Sequence, residues 1–120
     1  MTADEYMELA LTTSNAEFNP VDKELLHSAF GCATEAGELL DVLKKAIFYG
    51  RAIDTINMLE EFGDMLWYIA LGLHALGFSF DDAFQRNIAK LRARYPDGEF
   101  NVTHAQERDL ETERKRLENK

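Results

Sequence analysis

LEEFGDMLWYIALGLHALG, residues 59–77, decides the fold class. From Met65 to Gly77 only His74 carries a formal polar group besides the aromatic rims. At helical spacing Phe62, Met65, Leu66, Ile69 and Leu73 cover one side, and Trp67, Tyr68 and Leu71 cover the other. A helix apolar all round is buried on all sides. The apolar run is shorter than the ~20 residues that span a bilayer, so it predicts a core helix and no membrane segment. Neighbouring helices of one 120-residue chain rarely cover such a helix completely, which predicts a dimer with this helix at or near the interface. Three carboxylates, Glu60, Glu61 and Asp64, stand at the mouth of this segment, and their presence needs a reason.

Outward from that helix, the chain reads as all-α. It has two prolines, Pro20 and Pro96, and the stretch between them suits long helices. The first helix is predicted over about 3–14, before an Asn-rich turn at 15–20. The second follows Asn19-Pro20 and runs to about Tyr49, with Gly50 as its stop. Asp54 or Thr55 caps the third, which ends at Leu76 before Gly77. The fourth starts at Ser79, carries Asp81 and Asp82 in its first turn, and ends near Tyr95 at the turn Pro96-Asp97-Gly98. Residues 105–118 are highly charged and read as a solvent-exposed helix, a partner-facing helix or a fraying end. No strand-period run exceeds a few residues, and there is no internal repeat.

The net charge is −9, and residues 105–120 hold five acids and five bases, so the whole deficit lies in residues 1–104. An acidic body argues against a nucleic-acid backbone binder, which carries a basic stripe. It leaves room for a phosphate ligand that arrives with a divalent metal, because the metal inverts the local charge. The lone cysteine, Cys32, excludes an internal disulfide and reads as a small helix-packing residue. MTADEYMELA, residues 1–10, lacks the basic and apolar regions of a signal peptide, and a cytoplasmic location is expected.

Within the second helix Leu26, Phe30, Ala33, Gly37, Leu40 and Ile47 form an apolar stripe, and Glu35 and Glu38 project from its flank. Glu61 and Asp64 form a matching pair on the third helix, and Tyr68 continues their face one turn on. If the two helices pack antiparallel, four carboxylates can converge. Burying them unpaired costs several kcal/mol, and a divalent cation removes that cost. All-oxygen ligands select Mg²⁺ or Mn²⁺. The bland reading is that acids at helix fronts complement the dipole and that E-x-x-E arises by chance. A di-iron bundle needs two Glu-x-x-His motifs, and only Glu24–His27 fits. Asn87, Lys90 and Arg94 step by three and four along the fourth helix, and Lys45 lies on roughly the face of Glu35. These are candidates for a polyphosphate tail, or solvated helix cations, the reading preferred for Lys44, Arg86 and Arg92.

Three stretches in this order, EAGELLDVLKK (35–45), EEFGDMLWYIA (60–70) and NIAKLRARYPDGEF (87–100), resemble the MazG-like all-α nucleoside triphosphate pyrophosphohydrolases. YMELALTTSN, residues 6–15, is similar to the family's first helix. The resemblance covers about residues 5–100, which makes residues 1–100 the expected domain and 101–120 a charged, helical C-terminal tail. It implies a four- to five-helix bundle completed by dimerisation, as a homodimer or homotetramer. The implied reaction cleaves a (deoxy)nucleoside triphosphate between the α and β phosphates, giving a monophosphate and pyrophosphate. Carried over by motif, Glu35, Glu38, Glu61 and Asp64 would be Mg²⁺ ligands, with Mn²⁺ as a substitute. Asn87, Lys90 and Arg94 match the family's phosphate-binding stretch and Tyr95 its neighbour among the substrate-binding residues, and Tyr68 would touch the sugar or base. Many members carry a further acid directly before the first motif glutamate; this chain has Thr34 there, which leaves fewer acids for additional metal ions.

The expected mechanism is metal-assisted in-line attack of water, with Glu38 by preference, or Glu35, orienting that water as general base. Lys90 and Arg94 would hold the departing pyrophosphate. Trp67, Tyr68 and Phe48 are candidates for stacking on the base, against the commoner reading of aromatics as core. The alternative is a non-catalytic helical module for nucleotide binding or dimerisation, or an accessory protein whose tail at 105–120 recruits a partner. Neither of these would require the acid pairs.

Overall fold

Side-chain caps and left-handed glycines bound several of the helices. A computed structural model describes residues 1–14 and 21–120; the expected turn at 15–20 lies outside the described residues. Among these residues the regular structure is six helices with no strand. Helix α1 (Ala3–Leu11) starts on a capping box between Thr2 and Glu5. Helix α2 spans Val21–Tyr49, and α3 spans Thr55–Ala75 with Asp54 as its cap, its carboxylate accepting from the Asn57 N–H. Gly77 follows α3 at φ +76°, a left-handed position that stops the helix without a Cβ penalty. Helix α4 covers Phe80–Arg94, and Gly98 closes the turn after it through its N–H to the Tyr95 carbonyl. The charged tail divides into α5 (Val102–Gln106), capped by Asn101, and α6 (Leu110–Leu117), capped by Asp109. None of the described helices is long and apolar enough to cross a membrane.

The chain forms two compact units, residues 1–79 and 80–120. In the first, α2 packs along α3 and α1 packs on α3. Ser28 meets Gly72, Gly31 meets Tyr68, and Glu35 meets Glu61 and Asp64, so residue numbers run in opposite directions and the pair is antiparallel. The Ser28 hydroxyl donates to the Tyr68 carbonyl at 2.7 Å. Gly31 is favoured where it is, because a Cβ there would clash with atoms of the Tyr68 ring and force the ring or the helix to move. Helix α1 is tied to α3 by Trp67, whose indole N–H is shared between the Ala10 carbonyl and the Thr13 hydroxyl at 3.0 and 2.7 Å. Among the described residues of this unit, Met7, Ala10, Val42, Ala70 and Leu71 are the buried apolar side chains.

Within one chain α3 is not covered on every side, as the all-round apolar pattern of a 120-residue chain leads one to expect. Ala70, Leu71 and Gly72 are buried, while Phe62 and Leu66 are about half exposed. The apolar stripe of α2 also faces outward: Leu26, Phe30, Leu40 and Ile47 are 54–71% exposed. Ser28, Gly31 and Glu35, not the stripe, are the α2 residues that meet Gly72, Tyr68 and the α3 acids, and the absence of a side chain at Gly31 lets the Tyr68 ring seat against α2.

In the second unit α6 packs on α4. The tail does not fray there. Arg86 Nη1 donates to the Leu117 carbonyl at 2.8 Å, and Glu113 of α6 is 3% exposed.

Candidate metal centre and active site

Asn57, Glu61, Asp64, Tyr68 and Gly72 recur at steps of four, three, four and four, and so form the single stripe that α3 turns toward α2. That stripe brings acids from two helices together. Glu35, Glu61 and Asp64 each offer a carboxylate oxygen, all within 4.8 Å of one another. Glu61 is buried, Glu35 is half-buried and Asp64 is exposed. Burial, then contact with Glu35 and its charge, then the charges of Glu38 and Asp64, push the Glu61 carboxyl above its ordinary value. Asn57, one turn earlier, donates to Glu61 at 3.3 Å and fixes the orientation of that carboxylate.

Glu38 stands beside the three-acid set rather than within it. It is exposed, and it borders a polar recess with Lys45, Arg51, Asp54 and Asn57. Glu60 is exposed and takes no part in the set. Lys45 is on α2 as expected, and its ammonium meets Asp41 at 2.7 Å. The hydrogen bond from Lys45, with Lys44 also nearby, holds the Asp41 carboxyl below its ordinary value. Thr34, directly before Glu35, donates its hydroxyl to the Gly31 carbonyl one turn back at 3.1 Å.

The donor set suits a hard cation. Three carboxylates that repel one another, one of them buried, are costly without a positive charge among them. Oxygens on opposite sides of an octahedral Mg²⁺ stand ~4.2 Å apart. The observed spread of up to 4.8 Å is within small side-chain adjustments of that span. Cys32 has the opposite character to a reactive thiol, since burial pushes it up.

Tyr68 lies on the acid stripe, one turn after Asp64. Its ring stands edge-on to Trp67 at 5.0 Å and to His27 at 5.4 Å. Phe48, near the end of α2, is 75% exposed. Asn87, Lys90, Arg94 and Tyr95 belong to the second unit and are described within it. Asn87 is exposed, Lys90 is half-buried, and Tyr95 lies 6.0 Å from the Phe100 ring. The Arg94 side chain is 18% exposed and meets Glu113 at 3.0 Å.

Sequence reasoning missed several of these partners. Asn57 was signalled by its i,i+4 relation to Glu61, and Asp41 by the same relation to Lys45. Tyr6 of α1 donates its hydroxyl to the Gly63 carbonyl at 3.3 Å, and burial and then the Asp64 charge push that phenol up. No local signal places Tyr6 there, because the contact joins residues 57 apart. Glu113 had no signal beyond its presence in a charged tail.

A model of the MazG nucleotide pyrophosphohydrolase domain matches residues 29–98, more than half of the chain, and takes in α3, most of α2 and α4. No curated protein and no solved structure gives a significant match. The all-helical architecture, the antiparallel acid-bearing pair and this match lead to one conclusion: the chain belongs to the MazG nucleotide pyrophosphohydrolase domain family.

Proposed function

We propose that this protein hydrolyses a (deoxy)nucleoside triphosphate to the monophosphate and pyrophosphate in a Mg²⁺-dependent reaction. The observation that carries this reading is the convergence of Glu35, Glu61 and Asp64, from two helices, around a buried carboxylate in a chain of this family. These three acids, with Glu38 beside them, would hold the metal. When bound, it would neutralise phosphate charge and lower the pKa of a water molecule. Mn²⁺ satisfies the same donor set.

Glu38 orients the attacking water and accepts its proton as the α–β phosphate bond breaks. Its position beside the three-acid set, rather than within it, favours it over Glu35, which contributes an oxygen to that set. Lys90 and Arg94 neutralise the departing pyrophosphate, and Asn87, Tyr95 and Lys45 complete the phosphate contacts. Tyr68, held edge-on to Trp67, offers a ring to the sugar or base. The protein acts as a homodimer or homotetramer in the cytoplasm, without nucleic acid or membrane partners. The outward apolar stripe of α2 and the half-exposed Phe62 and Leu66 support an oligomer, since surfaces of this kind mark association sites.

The test is pyrophosphate release from the eight common (d)NTPs with Mg²⁺, with and without EDTA. Equal yields of pyrophosphate and monophosphate, abolished by EDTA, are expected. Orthophosphate would mean the wrong bond is cut. Nucleotide binding without turnover across the panel would favour the non-catalytic module.

A further inference from the structure

Two arginines hold one carboxylate in the second unit. Arg94 donates from Nε to Glu113 Oε1 and from Nη2 to Oε2, both at 3.0 Å. Arg108 repeats the pattern at 3.2 and 2.5 Å. Glu113 is 3% exposed, so its two oxygens are shared among four donors with little access to water. All four donors come from the Nε–Nη2 edges, which leaves the Nη1 end of each guanidinium outside the shared carboxylate. The side chain of Arg94 is 18% exposed and that of Arg108 is 40% exposed.

The charges distinguish a structural tie from something more. A lone Arg94–Glu113 pair would be neutral, and a neutralised guanidinium offers an anion no net attraction. Two guanidiniums against one carboxylate keep a net charge of about +1 around Arg94. A bidentate Arg94 already ties α4 to α6, so Arg108 adds a positive charge beyond that tie. Held by Glu113 along one edge and also hydrogen-bonded to Tyr95, the Arg94 guanidinium is preorganised, with less conformational freedom to lose on meeting a phosphate. Arg94 lies inside the segment matched by the family, residues 29–98, whereas Arg108 and Glu113 lie beyond it.

We propose that Glu113 is a positioning residue: it fixes Arg94 by one edge while Arg108 supplies the second positive charge, so that a rigid, net-cationic guanidinium end meets the phosphates of the nucleotide. This rests on the reading of Arg94 as a phosphate-binding residue. The C-terminal segment 101–120 would then be part of the substrate-binding apparatus rather than an appendage.

The test uses the full chain with two readouts, steady-state pyrophosphate release and calorimetric binding of magnesium pyrophosphate. Glu113→Gln and Arg108→Met should each raise KM and the pyrophosphate Kd by ~10-fold or more while kcat changes less than ~3-fold, the pattern of lost uniform binding. Glu113→Asp and Arg108→Lys, which keep the charges, should recover most of that loss. A folded Glu113→Gln or Arg108→Met with unchanged KM and Kd overturns the proposal. If Glu113→Gln does not fold, the Arg108→Met and Arg108→Lys pair decides it. If the chain hydrolyses no nucleotide yet binds magnesium pyrophosphate, and Arg94→Met and Arg108→Met weaken that binding, the reaction assigned above fails and this proposal stands. No binding in the unsubstituted chain, or binding that Arg94→Met leaves unchanged, overturns it.

Discussion

Glu61 and Glu35 approach each other from adjacent antiparallel helices, with carboxylate oxygens within 4.8 Å, and Glu61 is the buried partner. This arrangement stores electrostatic repulsion that a cation would relieve. It also makes the metal-free chain and the metal-loaded chain respond oppositely to pH.

The Glu61 carboxyl is raised above its ordinary value near 4.5 by burial and by its acidic neighbours. The folded state therefore holds that proton more tightly than the unfolded state. The associated stability is fully present below about pH 4.5 and is lost as pH rises through the raised value. In EDTA, melting temperature should fall from mildly acidic to neutral pH. Added Mg²⁺ should raise it most at the higher pH, where the acids are ionised. Asp64→Asn should melt higher than the unsubstituted chain in EDTA at neutral pH and lose the Mg²⁺-induced rise. Its activity should fall by more than the ~10–100-fold typical of an outer-shell change. Scanning calorimetry at several pH values checks this, and a Mg²⁺-induced rise that survives in Asp64→Asn would remove this acid from the metal site.

Glu113 behaves in the opposite sense. Hydrogen bonds from Arg94 and then Arg108 pull its carboxyl down from 4.5 to about 2. Its contribution to stability is present above about pH 4.5 and is lost as pH falls toward 2. That shift corresponds to about 3 kcal/mol at neutral pH. Glu113→Gln should lose stability of that order at pH 7 in urea titrations, and the difference from the unsubstituted chain should shrink steadily below pH 4.5. A difference independent of pH would mean that packing, not charge, holds α6 against α4.

Gly31 offers a test of the helix pair itself. A Cβ at this position would clash with the Tyr68 ring. Gly31→Ala should therefore force α2 and α3 apart or displace the ring, at a cost of ~1–3 kcal/mol. Because Glu35 lies one turn beyond Gly31, the acid set should loosen as well. Calorimetry should show weaker Mg²⁺ binding alongside the lower melting temperature. Unchanged stability would mean that Tyr68 is free to leave the interface.

The helices were largely legible in the sequence because their punctuation is local. Asp54 acts through its side chain on the nearby Asn57 N–H. Gly50, Gly77 and Pro96-Asp97-Gly98 act through their own backbone, and α2, α3 and α4 are bounded close to where these residues predict. The acid pairs were legible for a related reason: i,i+3 spacing and an antiparallel hairpin suffice to bring Glu35 to Glu61 and Asp64. The packing face of α2 was not legible. Hydrophobicity singles out Leu26, Phe30, Leu40 and Ile47, but the contact within the chain is made by Ser28, Gly31 and Glu35, whose value lies in small size and charge. The Glu113 cluster was hidden for another reason. A charge-rich tail reads as solvated until the fold shows that one of its acids is shared by two arginines.

The outward stripe of α2 leads to the last prediction. Leu26, Phe30, Leu40 and Ile47 line one side of a 29-residue helix and are 54–71% exposed, while Phe62 and Leu66 on α3 are about half exposed. Covering such side chains stabilises by roughly 25 cal/mol per Å² of apolar surface removed from water, so leaving them wet is a large forfeited gain. A second copy of the chain presents the same surface and can cover it by two-fold pairing. Light scattering after size-exclusion chromatography should give a mass of two or four chains. A single charge at the centre of the stripe, Phe30→Glu, should shift that mass toward one chain at micromolar concentration. Glu24→Lys, off the stripe on the same helix, should leave it unchanged. If the unsubstituted chain runs as a monomer, the stripe is not the contact between copies, and the oligomer expected of this bundle would have to be abandoned.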